Sequence, residues 1–185
     1  VLWVGHFVFA SLFAKIALHD AGYEVSHLSH PRHGFSQTRF GMRFLNRGKQ
    51  EIEAKFLAER VELAPANPAI ALRRLQKRLA GNGIVSFTAG VDAARPAFPP
   101  FFGDRIALAT GAADLAHRSG APLLPVFVWR DEPGEIAVEI EAPLPVDRAA
   151  PRPKSGAAAA NAFAERQAIH VRARPEQWLG WTTLP

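Results

Sequence analysis

The sequence predicts an α/β fold, a sandwich with a mainly parallel central sheet flanked by helices. Three observations carry this. Apolar runs of strand length alternate with helical patterns along the chain. Val1–Gly5, the helical stretch Phe7 to His19 and the strand-like Glu24–Leu28 form a β-α-β unit of about 30 residues. Leu123–Trp129 is an almost continuous apolar run, the pattern of a strand covered on both faces. With 185 residues, 48% of them hydrophobic and 21% charged, the composition is that of a globular chain and not a disordered one. The expectation is one domain, residues 1–185.

Each element has its own reason. In the first helix Ser11, Lys15 and His19 recur at i, i+4 and i+8, a polar stripe on an otherwise apolar cylinder, and Gly22 fits a C-cap. A loop rich in His, Pro and Gly follows from Ser29 to Ser36. A helix near Thr38–Arg47 sets Arg39, Arg43 and Arg47 on one face and Phe40 and Phe44 on another. Arg60–Leu63 reads as a short strand. Asn67-Pro68 reads as an N-cap followed by proline at the first helical position. The helix it opens turns Leu72, Leu75 and Leu79 inward and Arg73, Arg74, Lys77 and Arg78 outward. Gly81-Asn82-Gly83 ends it, and Ile84–Thr88 is the next strand. Arg95–Gly103 is an irregular loop rich in Pro and Phe. Ala112–Ser119 is a helix stopped by Gly120. Glu135–Glu141 alternates strictly, so it is a half-exposed strand. Pro143 to Pro153 links it to an Ala-rich terminal helix, Gly156–Arg172.

The charge of +5 points to an anionic partner such as phosphate, a membrane surface or nucleic acid. The absence of cysteine excludes disulfides and thiolate metal sites. No recognition module for nucleic acid is present, which sets that partner aside. The chain lacks an initial Met and opens inside a strand-like run, so a truncated N-terminus is expected. The longest apolar run, Val1 to Ala14, contains His6 and is too short to span a bilayer; an upstream apolar anchor is expected instead.

The strongest local feature is Gly5-His6-Phe7, where a strand turns into a helix. A histidine there sits at the carboxyl end of a strand, where α/β folds place their sites. A helix N-terminus disfavours imidazolium and keeps the ring ready to accept a proton. On spacing alone, a structural or capping histidine competes with this reading. His27, His30 and His33 repeat at a spacing of three. With Pro31 between them and neither cysteine nor a nearby carboxylate, they read as a polar loop, and no metal site is expected.

Several further segments occur in one order: Phe101-Phe102-Gly103, Thr110-Gly111, Leu115-Ala116 and Ser119-Gly120-Ala121-Pro122-Leu123-Leu124-Pro125-Val126-Phe127. This stretch resembles the "PFFG…TG…LA…TGAPLLPVF" pattern of the lauroyl/myristoyl lipid A acyltransferases, of the lysophospholipid acyltransferase superfamily. Arg174-Pro175-Glu176-Gln177-Trp178 resembles the same family's terminal "HPEQW".

The resemblance implies that superfamily's sandwich and its reaction. An acyl group passes from a thioester, on acyl carrier protein or coenzyme A, to a hydroxyl of a lipid such as a lipid A precursor or lysophospholipid. It implies a membrane surface at the cytoplasmic face of the bacterial inner membrane, and no cofactor. The family's His-x4-Asp/Glu dyad maps its histidine onto His6 and its acid onto Ser11, since "HFGNWE" reads here His6-Phe7-Val8-Phe9-Ala10-Ser11. A second position that carries Asp or Glu in related enzymes falls within Thr88-Ala89-Gly90. A serine cannot supply the charge that stabilises imidazolium, so a catalytically impaired chain that keeps the lipid-binding fold is the alternative. His19 and Glu24 also satisfy His-x4-Glu, but Gly22 sets them on either side of a helix end. Donor and acceptor residues are expected among Phe7, Val8, His30, Arg39, Arg43, Thr88, Ala89, Gly90, Phe101, Phe102 and Gly103. A solvated helix face competes for the arginines, and packing in the core competes for Phe98, Phe101 and Phe102.

Overall fold

The computed structural model describes residues 1–29, 45–63, 68–90, 96–132 and 134–183. His30, His33, Arg39 and Arg43 therefore lie outside the described residues.

In chain order the elements are β1 (Leu2–Val4), α1 (Ala10–Asp20), β2 (Val25–Ser29), α2 (Leu45–Ala54), β3 (Glu59–Glu62), α3 (Pro68–Ala80) and β4 (Ile84–Thr88). The two-residue strands β5 (Pro96–Ala97), β6 (Pro100–Phe101), β7 (Asp104–Arg105) and β8 (Leu108–Ala109) follow. Then come α4 (Gly111–Ser119), β9 (Leu124–Arg130), β10 (Ile136–Ile140), α5 (Arg152–Ala173) and two 3₁₀ turns, Pro175–Gln177 and Leu179–Thr183. The main sheet has six strands in the order β10-β9-β1-β4-β2-β3. β1 pairs parallel with β9, and β2 parallel with both β3 and β4; β10 runs antiparallel to β9. The expected α/β class with a mainly parallel sheet is what the chain adopts. No described helix is long and apolar enough to cross a membrane.

The chain divides into two compact units, residues 1–14 with 87–185, and residues 15–86. In the first, Val126, Phe127 and Val128 of β9 are completely buried, as an interior strand requires. Trp3 stacks on Phe163 of α5 at 4.4 Å, and Phe127 lies 5.6 Å from the same ring. The small Ala159, Ala160 and Ala164 of α5 are buried too, which lets the helix approach closely. Gly120 ends α4 in the left-handed conformation at φ 74°, its N–H donating to Ala116.

In the second unit the polar stripe of the first helix is solvated at His19, which is exposed, but not at Lys15. Lys15 is buried and its Nζ lies 2.5 Å from a Glu53 carboxylate oxygen on α2. His19 sets its ring edge-on against Phe56. His27 belongs to β2, as the strand reading of Glu24–Leu28 expected and the polar-loop reading of the spaced histidines did not: it is buried, with Nδ1 2.8 Å from Ser86 Oγ of β4. The hydroxyl satisfies the ring nitrogen, which is how a sheet interior tolerates an imidazole.

Two further expectations change. The first helix starts at Ala10, not Phe7, because Phe7 and Val8 are bonded to the far end of the chain. Of the Arg95–Gly103 stretch expected to be irregular, the described residues from Pro96 on contribute to two small antiparallel ribbons, β5 with β8 and β6 with β7.

Candidate functional site

The candidate site lies in the first unit, where β1 ends. The Gly5 N–H donates to the Val126 carbonyl at 2.8 Å, extending the β1–β9 ladder by one bond. A Cβ on Gly5 would sit 2.8 Å from Cδ1 of Phe127, so only glycine fits the close approach. The Phe7 N–H then turns back to the Gly5 carbonyl at 3.0 Å, which leaves His6, half-buried, at the apex of a tight turn.

That turn is held by the Pro175–Leu179 segment. The Leu179 N–H donates to the His6 carbonyl at 2.9 Å, and the Val8 N–H donates to the Gln177 carbonyl at 2.8 Å. Between them Phe7 faces Trp178 in an antiparallel bridge. Side chains alternate across such a pairing. Phe7 and Trp178 point inward and are buried, while Val8 and Leu179 are exposed.

Gln177 fixes the segment in place. Its Nε2 donates to the Arg130 carbonyl at 2.9 Å, and its Oε1 accepts from the Arg130 N–H at 2.8 Å, so one amide closes both backbone groups at the end of β9. Arg174 adds a second clasp, with Nη2 donating to Asp131 Oδ1 at 2.7 Å. The same oxygen accepts from Trp129 Nε1 at 3.0 Å, and the guanidinium carbon lies 4.6 Å from the centre of that indole. The hydrogen bond from Arg174, and after it that from Trp129, holds the Asp131 carboxyl below its ordinary range.

The Ala89 N–H donates to the Val4 carbonyl at 2.7 Å, which sets Thr88-Ala89-Gly90 beside the end of β1. The Gly90 carbonyl accepts from Ala109, tying in the β5–β8 ribbon. Phe101 is buried 5.1 Å from Trp178. Phe102 and Gly103 form the two-residue turn of the β6–β7 hairpin, both at positive φ, 49° and 86°. Thus Phe7 and Val8 adjoin His6 in the turn, Ala89 is bonded to Val4 at the end of β1, and Phe101 packs on Trp178, which faces Phe7. Ser11 is the second residue of α1.

Residue-by-residue reading assigned no role to Gln177, Trp178, Arg174 or Asp131. Only the resemblance marked the terminal motif, and its docking partner is invisible in sequence. A second cluster also went unseen. His170 of α5 stacks on Phe127 at 4.1 Å and its Nε2 lies 2.8 Å from Glu141, which also pairs with Arg166 at 3.4 Å. The ligand-capable atoms of Glu139, Glu141 and His170 lie within 4.8 Å of one another. These contacts tether α5 to the segment that follows β10.

The model of the family described as bacterial lipid A biosynthesis acyltransferase matches residues 34–182, well over half of the chain. The matched span includes the strand-end loops at Thr88–Gly90 and Phe101–Gly103, and the Pro175–Leu179 segment that docks on the His6 turn; His6 and Ser11 precede it. No curated protein matches the chain. A match of this extent establishes that the chain belongs to the bacterial lipid A biosynthesis acyltransferase family.

Proposed function

We propose that the protein moves a fatty acyl group from an acyl thioester, on acyl carrier protein or coenzyme A, to a hydroxyl of a lipid acceptor, with His6 as general base. The acceptor is a lipid A precursor or a lysophospholipid, met at the cytoplasmic face of the inner membrane. The fold is read as the sandwich of the lysophospholipid acyltransferases. The observation that carries the reading is the position of His6. It stands at the carboxyl end of β1, with its turn bonded to a segment inside the family match.

In this reading an imidazole nitrogen takes the acceptor's hydroxyl proton as the oxygen attacks the thioester carbonyl. The tetrahedral adduct collapses with cleavage of the C–S bond, and the imidazolium returns the proton to the departing thiolate. Ser11 stands at the position of the acid. Its hydroxyl is a hydrogen-bonding group without charge, so the imidazolium gains little stabilisation from it and turnover is slow.

The experiment is acyl transfer from a thioester to a lipid hydroxyl by the wild type, His6→Ala and Ser11→Glu. His6→Ala is expected to lower the rate by about 10²–10⁴-fold. Ser11→Glu is expected to raise it, by at most the roughly 10⁴-fold that an orienting carboxylate is worth in a serine hydrolase. Equal rates for wild type and His6→Ala, with no gain from Ser11→Glu, would overturn the proposal and leave a lipid-binding chain without turnover.

A further inference from the structure

Two carboxylates of β10 stand on the side of the strand that faces a helix. Glu139 pairs with Phe127, and Ala137 with Trp129, across the β9–β10 ladder. Residues paired in this way share a face of the sheet, and Glu141, two positions on, shares it too. That is the face α5 covers, since His170 of α5 stacks on Phe127 at 4.1 Å and lies 5.2 Å from Trp129. Ile136, Val138 and Ile140 point the other way, and Ile140 is exposed. The strand thus sends its carboxylates toward the helix and leaves an isoleucine in water, the reverse of what burial alone favours.

Three donors of two kinds meet there. One ligand-capable atom from each of Glu139, Glu141 and His170 lies within 4.8 Å of the other two. The imidazole is largely buried, and the rings of Phe127 and Trp129 fix its plane. Its Nε2 is therefore aimed before any ligand arrives, at Glu141 Oε1, 2.8 Å away. The two oxygens of Glu141 have separate tasks. Oε1 faces His170, while Oε2 pairs with Arg166 at 3.4 Å, and the same guanidinium donates to the Ala142 carbonyl. A carboxylate held from behind, with one oxygen left forward, is the outer support that metal ligands usually have. An ion pair between α5 and β10 needs only Glu141. Glu139 is the carboxylate left over: among the described residues it makes no hydrogen bond or ion pair.

We propose that Glu139, Glu141 and His170 bind a zinc ion, with water completing a four-coordinate shell. Imidazole nitrogen combined with carboxylate oxygen suits zinc, whereas magnesium and calcium take oxygen alone. Ligand atoms on one zinc stand roughly 3.3 Å apart at the usual bond lengths, so Glu141 and His170 need open by only about half an ångström. The exposed Glu139 reaches the ion by rotation of its own side chain. Zinc takes the place of the proton on Nε2. Once bound, it ties α5 to the end of β10 behind Phe127, the ring that a Cβ on Gly5 would strike, and so stiffens the wall of the His6 turn. None of this depends on the acyl-transfer reading.

The test is thermal denaturation of the chelator-treated full chain with zinc chloride or magnesium chloride. Zinc at about a hundred times its Kd is expected to raise Tm by roughly 5–10 °C, and magnesium to leave it unchanged. Glu139→Gln keeps the contacts among Glu141, Arg166 and His170. Its Tm without metal should match the wild type, while its zinc affinity falls by at least about 10–100-fold. His170→Phe keeps the ring stack and should lose the site. Cobalt in place of zinc gives a second readout, the visible bands of a tetrahedral nitrogen and oxygen site, which both variants should lack. A Tm that zinc does not move would overturn the proposal, and so would an equal gain with magnesium. An equal zinc gain in wild type and Glu139→Gln would do the same, since the ion would then sit elsewhere and the cluster would be an ion pair alone.

Discussion

The N–H of Leu179 donates to the carbonyl of His6 across 2.9 Å, joining the turn that carries the histidine to a segment from the opposite end of the chain. The position of the imidazole therefore depends on how the last described residues dock, and Gln177 is the side chain that docks them. Gln177→Ala removes two hydrogen bonds to Arg130 and should cost about 1–3 kcal/mol. It should also make the bonds after Arg174 more open to proteolysis. Chemical denaturation and limited proteolysis measure both; an unchanged cleavage pattern would count against the clasp.

Gly5 is predicted to tolerate no side chain. Gly5→Ala drives a methyl against the ring of Phe127, which is completely buried and has no space to retreat into. Overpacking of this kind costs about 1–3 kcal/mol. Adding Phe127→Leu should return part of the loss, and a double variant no more stable than Gly5→Ala alone would disprove the clash as its cause.

The pair of Lys15 and Glu53 makes a prediction of another form, since both side chains are nearly inaccessible to solvent. Removing one partner takes this ion pair from a charge that stays buried, so Lys15→Met or Glu53→Leu alone should cost about 3–5 kcal/mol. The two together should lie close to the wild type, because a packed apolar pair replaces the ions without their desolvation cost. A double variant as unstable as the sum of the singles would show that the pair does more than neutralise itself.

Acid should release the Arg174 clasp. Asp131 is held below its ordinary value by Arg174 and then Trp129. A depressed folded pKa contributes stability above the unfolded value of about 3.9, and the contribution disappears as pH falls through the lower folded value. As pH falls through that lower folded value the segment should loosen, and the emission of Trp129, bonded to Asp131, should change. Asp131→Asn should lack this acid transition and show weaker docking at neutral pH. An identical acid titration in the variant would assign the transition to another group.

Much of the fold was legible because periodicity reports local environment. The apolar run of β9, the alternation of β10, the Pro68 start of α3 and the Gly120 stop of α4 each encode burial or backbone geometry within a few residues. Gly5-His6 could be read as the end of a strand for the same reason. The resemblance of two distant motifs supplied the family, which spacing alone does not contain.

The tertiary structure decided what depends on partners far apart in the chain. The polar stripe of the first helix identified Lys15 but not that Glu53 would bury it. A spacing of three grouped His27 with a loop, whereas Ser86 on a neighbouring strand holds it inside the sheet. Helical pattern began the first helix at Phe7, but the bonds from the Pro175–Leu179 segment claim Phe7 and Val8 first. Amphipathic periodicity is a one-body property of each residue and water, so the sequence displays it. Pairing is a two-body property, and folding alone brings His6 to Leu179 and Gln177 to Arg130.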